Sequence, residues 1–436
     1  MLSPVQSPKL RRIIAAYTIN RLGTWFGFIA LTVAVFDQTH SAIAVAAVLI
    51  AAQVVPALVA PALVARIEVS KSSRFSELYF FEGAATATLA VLLLSHFWLP
   101  GILLLAALDG TAALAANALL RAETAQVARA TVETHSHGQI RVGGSVEKES
   151  EEAERKANAA VNVAFSVTFV FGPALAGVVV AAASASSAMF IDACSFLICG
   201  AMLVDLRAAE TPPDASVRAR LLEAWEHIRG MPMLRSLLLA EAAALIFFES
   251  AAPIEVAYAK TTLTAGDRGY GALVAAWGLG SVLGSVIFAR ATRRPLGAML
   301  AAGVLAIGLA YVGFSVAPSL AVACAAAALG GVGNGVEWAS VISIVQRLTP
   351  QRLHGQLMGA VESLGAICPA IGLSLGGALV ALSSPRVAFL IVGTASAAMA
   401  IPFLRLYLRG LDVRSTVNTA EEEPKVSTRP VPEVVP

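Results

Sequence analysis

Charge is what this sequence has least of. Asp, Glu, Lys and Arg make up 14% of its 436 residues, where a soluble domain carries roughly 25%, and an ordinary soluble fold is thereby excluded. Lys and Arg exceed Asp and Glu by only 31 to 29 and nowhere form a basic block interleaved with aromatics, so nucleic acid is not an expected partner. The four cysteines, Cys194, Cys199, Cys324 and Cys368, lie inside apolar runs without metal-ligand spacing, which excludes a disulfide framework. Glu133, His135 and His137 share one polar stretch with no further ligand at useful spacing, and no metal site is expected. Neither a His-Glu-x-x-His motif nor a phosphate-binding glycine loop occurs; enzyme activity, direct coupling to ATP hydrolysis and a bound cofactor are not expected.

Apolar residues are what the chain has in abundance. They form 57% of the sequence, about 249 residues against the roughly 20 that one membrane helix needs, enough for about twelve spans. Runs of spanning length fall at 13–36, 43–65, 78–95, 98–120, 158–183, 186–206, 236–258, 270–289, 296–316, 319–346, 355–382 and 386–408. The expected fold is an all-α polytopic membrane protein of twelve helices. The first run is too long for a signal peptide, and eleven more follow it.

Of the 31 Lys and Arg, 27 fall on the side of the N-terminus, three (Lys260, Arg268, Arg386) on the other, and Arg21 lies inside span one. Positive charge marks the cytoplasmic side, so both termini are expected in the cytoplasm of a cell that holds the chain in its cytoplasmic (inner) membrane. Three segments are polar: 121–157, read as a cytoplasmic loop; 207–235, where Val217, Leu221, Leu222, Trp225 and Ile228 recur at helical spacing and predict an amphipathic helix on the membrane surface; and 411–436, a Pro- and Glu-containing tail expected to be disordered.

The chain repeats itself. At an offset of 224 residues Leu49-Ile50-Ala51-Ala52 meets Leu273-Val274-Ala275-Ala276 and Ala65-Arg66 meets Ala289-Arg290; near spans five and eleven the offset falls to 196, where Pro173-Ala174-Leu175 meets Pro369-Ala370-Ile371. The 28-residue difference matches an insertion at Glu133–Lys156. Two parallel six-helix halves are predicted, 1–206 and 236–410, the first carrying the inserted loop. Because its polar composition does not supply a core, the insertion is expected to be dispensable.

Several short motifs fix a resemblance over about residues 10–410. They are Asn20-Arg21-Leu22-Gly23 followed by Thr39-His40-Ser41-Ala42, Phe171-Gly172-Pro173-Ala174-Leu175-Ala176-Gly177, Phe190-Ile191-Asp192-Ala193-Cys194-Ser195-Phe196, Gly269-Tyr270-Gly271-Ala272-Leu273 and Gln346-Arg347-Leu348-Thr349-Pro350. In this order they resemble the major facilitator superfamily, in particular the branch of enterobactin exporters and macrolide-efflux permeases. The resemblance implies a monomeric secondary transporter working by alternating access, a proton-coupled exporter of a small amphipathic molecule such as a drug or siderophore. Uptake, and a non-transporting membrane scaffold, stay open beside it. Arg66 and Arg290, in the loops that follow spans two and eight, and Gly172, Pro173 and Pro369 are implied as gating or hinge positions. Two departures stand out: Pro61 and Ala65 occupy the Gly and Asp places of the family's loop motif between spans two and three, and Thr168 replaces a small residue of the antiporter motif in span five.

Ionisable groups inside a bilayer cost roughly 2.5–3.5 kcal/mol each and usually face a cavity. Here they are Arg21 in span one, Asp109 in span four, Glu241, Glu249 and Glu255 in span seven, and Glu337 in span ten, which shares a helix face with Asn334. In the resembled family those four spans line the central cavity. At about 1.5 Å per residue, Arg21 and Asp109 sit at similar depth and are expected to pair. Glu249 and Glu337 are the expected proton carriers. Glu82, Asp192 and Glu362 lie nearer span ends and are read as structural or interfacial.

Overall fold

The computed structural model describes residues 7–69, 75–136, 143–204, 225–291, 293–349 and 354–408. Twelve long helices run through it: α1 (Pro8–Thr39), α2 (Ala42–Val69), α3 (Phe75–Ser95), α4 (Leu99–Ser136), α5 (Gly143–Ala182), α6 (Ala185–Met202), α7 (Pro232–Thr262), α8 (Gly266–Arg290), α9 (Leu296–Val316), α10 (Leu320–Leu348), α11 (His354–Leu382) and α12 (Pro385–Leu408). Ten are long and apolar enough to cross a membrane by length and composition alone; α3 and α11 complete the set. With no water in the bilayer core, each span satisfies its backbone internally, so apolar runs of this length fold as helices whatever their side chains.

The helices pack as two six-helix halves. Within the first, α1 packs on α5 and α6, α2 on α4, and α3 on α4 and α6; α7 packs on α11 and α12, α8 on α10, and α9 on α10 and α12. Each neighbour in the second half is the counterpart of one in the first, shifted by six helices. Between halves the principal seams are α5 with α8 and α2 with α11. Gly177 and Gly271 face each other across the α5–α8 seam, and a Cβ on Gly278 would lie 2.6 Å from the backbone nitrogen of Ala174. Only hydrogen side chains let the two backbones approach so closely, the usual device where lipid supplies no hydrophobic drive between helices.

The apolar cores show how the halves meet. At the face opposite the N-terminus one continuous core draws on all twelve helices, from Ile29 and Phe36 on α1 through Ile254 and Tyr258 on α7 to Phe389 on α12. At the N-terminal face the described residues form two separate cores, one around Leu10, Tyr79, Leu119 and Phe196 in the first half and one around Leu234, Leu300, Ile344 and Phe403 in the second. Among the described residues the apolar cores of the two halves are joined at the far face and separate at the N-terminal face.

Two expectations need correction. Residues 121–136 and 143–157 are helical rather than loop: α4 continues to Ser136 and α5 begins at Gly143, and 137–142 lie outside the described residues. Nor are they without a core, since Val127, Ala128, Ala153 and Ala157 are buried against Leu10 and Ile13 of α1. Small residues at helical spacing bury a seam that overall polarity conceals. The buried Glu123 carboxyl lies 3.7 Å from the Lys9 ammonium; burial pushes it above the usual carboxylate range against the pull of that charge. Trimming Glu133–Lys156 is therefore expected to destabilise the first half rather than leave it intact. Loss of the buried Ala153 and displacement of the flanking Val127, Ala128 and Ala157, at about 0.8 kcal/mol per buried methylene, predict a lower melting temperature and poorer membrane insertion; a trimmed chain that melts like the parent would refute this. Of the amphipathic helix expected over 217–228, only 225–230 is described, and it is helical; the tail 411–436 lies outside the described residues.

Candidate functional site

The site is built where α1, α4, α5, α7, α8 and α10 face the space between the halves. Helix α7 is interrupted there. Pro253 has no N–H to give to the carbonyl of Glu249 four residues earlier, and the α-helix stops at Glu249, resumes over Ala251–Ala257 and ends in a π-helical turn, Tyr258–Thr262. The break places Glu249 at mid-membrane, half-buried, against the glycine face of α11, where a Cβ on Gly372 would lie 2.8 Å from its own Cβ.

Four carboxylates mark the second half. Glu241 on α7 and Glu337 on α10 are both buried and within electrostatic reach of each other, and neither oxygen of Glu241 closes a hydrogen bond. Glu337 is held at that position by close packing of α10 on α9, since a Cβ on Gly303 would lie 3.0 Å from the Glu337 Cβ. Asn334, one turn away, accepts a 3.3 Å hydrogen bond from Ser281 of α8. The glycines 330, 331, 333 and 335 serve this contact: α10 stays continuous and its glycines admit Trp277, Ser281 and Gly303 of neighbouring helices. Glu255 lies beyond the break, within electrostatic reach of Tyr270, Tyr311 and Cys324.

Aromatic rings fill the spaces between these groups. Trp25 of α1 meets Phe169 of α5 edge-on at 5.9 Å, and Phe169 stacks on Trp338 of α10 at 5.7 Å, a bridge between the halves at mid-depth. Trp277 stacks on Tyr311 at 5.6 Å and touches Phe248. The Trp25 ring lies directly on Gly172, so this glycine seats an aromatic, with the kink-permitting Pro173 beside it inside α5. Pro369 lies buried inside α11. Arg290 ends α8, exposed; Arg66 lies on α2, with its side chain outside the described residues.

Arg21 and Asp109 do not pair. Asp109 accepts a 3.1 Å hydrogen bond from Thr86 of α3, and the Arg21 guanidinium lies over the Phe165 ring, 5.2 Å from its centroid. Similar depth placed both at one level, but depth leaves open which way each helix is turned. Glu82 and Asp192, read as structural or interfacial, are buried in the interior of the first half. The side chain of Glu362 lies outside the described residues.

One feature was missed from the sequence altogether. On the far face Lys260, in the π-helical turn of α7, bridges Asp37 of α1 and Asp267 of α8. Its side chain is only 10% exposed, and the contact with Asp37 crosses between the halves. The available signal was that Lys260 is one of only three cations on that side.

The sequence model of the Major Facilitator Superfamily matches residues 237–434, the second half. The whole arrangement superposes on a nucleoside transporter, NupG, at a TM-score of 0.65 with 12% identity, covering 91% of this chain and all of that one. The fold is the one that this solved transporter shows. An auto-inhibited peptide transporter of the POT family aligns over 92% of this chain and 97% of its own with a TM-score of 0.64 and 13% identity. In sequence, an uncharacterized MFS-type transporter of Bacillus subtilis (strain 168), YfiS, is 23% identical over 398 residues, 88% of this chain and 89% of that protein. The chain thus shares the fold of these transporters and, among its described residues, has ten helices long and apolar enough to cross a membrane.

Proposed function

We propose that the chain is a proton-coupled exporter of small amphipathic organic cations, working by alternating access with its N-terminal face in the cytoplasm. The observation that carries this reading is the single core at the far face above two separate cores at the N-terminal face. That is the arrangement of a transporter loaded from the cytoplasm and closed outside, and rocking about the α5–α8 and α2–α11 seams would reverse it. The charge asymmetry of the loops supports the orientation. The Gly172–Pro173 core of the antiporter motif supports export.

The wall supports the substrate class. Glu241, Glu249, Glu255, Glu337 and Asp109 stand against one Arg21, among Trp25, Phe169, Trp277 and Trp338. Carboxylates with aromatic faces attract a cation that is itself apolar, and they disfavour an anionic siderophore. The nucleoside and peptide named for the similar structures belong to those proteins.

In proteoliposomes, a lipophilic cation such as tetraphenylphosphonium is expected to move against an imposed proton gradient, and to stop when an ionophore collapses it. Glu249→Gln is expected to weaken its binding about tenfold, close to 1.4 kcal/mol. Movement in the direction of the proton flux would turn the reading to uptake; no gradient-dependent movement of cationic, neutral or anionic probes would leave a scaffold.

A further inference from the structure

The interior of the first half holds a group of polar side chains that the transport site does not use. Asn20 on α1 and Glu82 on α3 are fully buried, and Asp192 on α6 is 4% exposed. Asn20 lies against Glu82, and Glu82 is within electrostatic reach of both Asp192 and Asp109. Yet among the described residues neither side-chain atom of Asn20, neither oxygen of Glu82, nor Oδ1 of Asp192 closes a hydrogen bond. The Asp192 carboxylate is cradled on α1 by Gly23 and Gly27: a Cβ on Gly23 would lie 2.8 Å from Oδ1, and one on Gly27 would collide with Oδ2.

Every helix packed around the group can be inspected for a compensating charge. On α1 the neighbours are Tyr17 and Arg21, the latter engaged over Phe165 of α5. On α3 they are Tyr79 and Thr86, on α4 Asp109, and on α6 Ser195 and Cys199. Among the described residues no ion pair reaches Glu82, Asp109 or Asp192. Three negative charges in mutual reach inside a membrane are not sustainable together. A metal ion does not resolve this, because no three Asp, Glu, His or Cys groups among the described residues converge as its ligands.

We propose that Glu82 and Asp192, with Asn20 between α1 and α3, form a proton-binding site in the first half, loaded from the central cavity through Asp109 and the Thr86 hydroxyl. Asp109 is half-buried and already accepts from Thr86, which stands one helical turn from Glu82. Only O–H bonds form and break: the hydroxyl passes a proton on to a Glu82 oxygen while accepting one from Asp109. The site is separate from the Glu241–Glu337 pair in the other half. Proton binding there stands without the transport reading; its role as a second coupling site rests on that reading.

The test uses the full chain in lipid nanodiscs. Infrared difference spectra between acid and neutral pH report the carbonyl stretch of protonated carboxyl groups, and a pH-indicator dye counts the protons taken up. Glu82→Gln and Asp192→Asn are each expected to remove part of that band and to reduce uptake by about one proton per chain, with the band of the Glu241–Glu337 pair intact. Asp109→Asn is expected to keep the band but to slow its hydrogen–deuterium exchange. Folded Glu82→Gln and Asp192→Asn variants that titrate like the parent would overturn the site, and should either fail to insert, unchanged exchange in Asp109→Asn would do so. Absence of gradient-driven transport in the parent chain, with the spectra of the variants changed as expected, would count against the exporter reading alone.

Discussion

Glu337→Gln is expected to abolish gradient-driven transport while leaving binding and exchange of the cation intact. Glu337 and Glu241 face each other in the second half, both buried. Two carboxyl groups so close in an apolar setting share a proton, and the pair titrates as a unit. Glutamine keeps the volume and a hydrogen-bond donor but fixes the pair in the state that resembles the protonated one. Coupling between proton and substrate then vanishes. The accumulation ratio across the vesicle membrane should collapse to about one, because a ligand whose binding no longer distinguishes the states transmits nothing. Glu241→Gln should behave alike, and the double variant no worse than either, since groups acting as a unit are not additive. Uphill accumulation surviving in both single variants would remove the assignment. The measurements are substrate counterflow, which should persist, and proton-driven uptake into inside-out vesicles, which should not.

Lys260→Ala is expected to open the far face. The ammonium joins Asp37 of the first half to Asp267 of the second. Lysine is itself nearly buried, but Asp37 is 46% exposed, so the bridge contributes on the order of 1–2 kcal/mol rather than the 3–5 of a fully buried pair. Its removal shifts the balance between inward- and outward-open forms by roughly 5- to 30-fold. A cysteine placed at Ala34 or Ala90, which line a cleft of about 140 Å³ beside Asp37, should react faster with an impermeant thiol reagent from outside. The comparison is made in a background with the native cysteines replaced. An unchanged labelling rate would show that the continuous apolar core alone keeps this face shut. Arg386, whose guanidinium donates to the carbonyls of Ser315 and Ala317 within the second half, is the matched control, because its loss breaks no contact between halves.

Much of the fold was legible because bilayer rules act locally. A run such as Leu296–Val316 must become a helix wherever it lies in the chain. The interruption of α7 is written in Pro253 in the same local sense. The rotation of each helix about its own axis is written far more weakly. In lipid both faces of a span are apolar, so the periodicity that reveals the inner face of a soluble helix is faint. For that reason Arg21 was matched with Asp109 at the right depth and on the wrong bearing, and the buried position of Glu82 and Asp192 went unseen. The α4–α5 extension misled for the converse reason. Its buried residues are mostly alanines, which carry little hydropathy against the surrounding charge.

By itself, then, the sequence determined the number of spans, their order and duplication, and which of them carry charge through the membrane. It did so because segment length, hydropathy and missing backbone donors are properties of the chain next to itself. Tertiary structure decided which carboxyl groups meet: Glu241 with Glu337, and Glu82 with Asp192 and Asn20. It also decided that the halves close at the far face through Lys260 and one shared core. Those outcomes follow from how glycine and alanine seams such as Gly177–Gly271 and Gly303–Gly333 let particular helices approach, a long-range geometry that no single segment encodes.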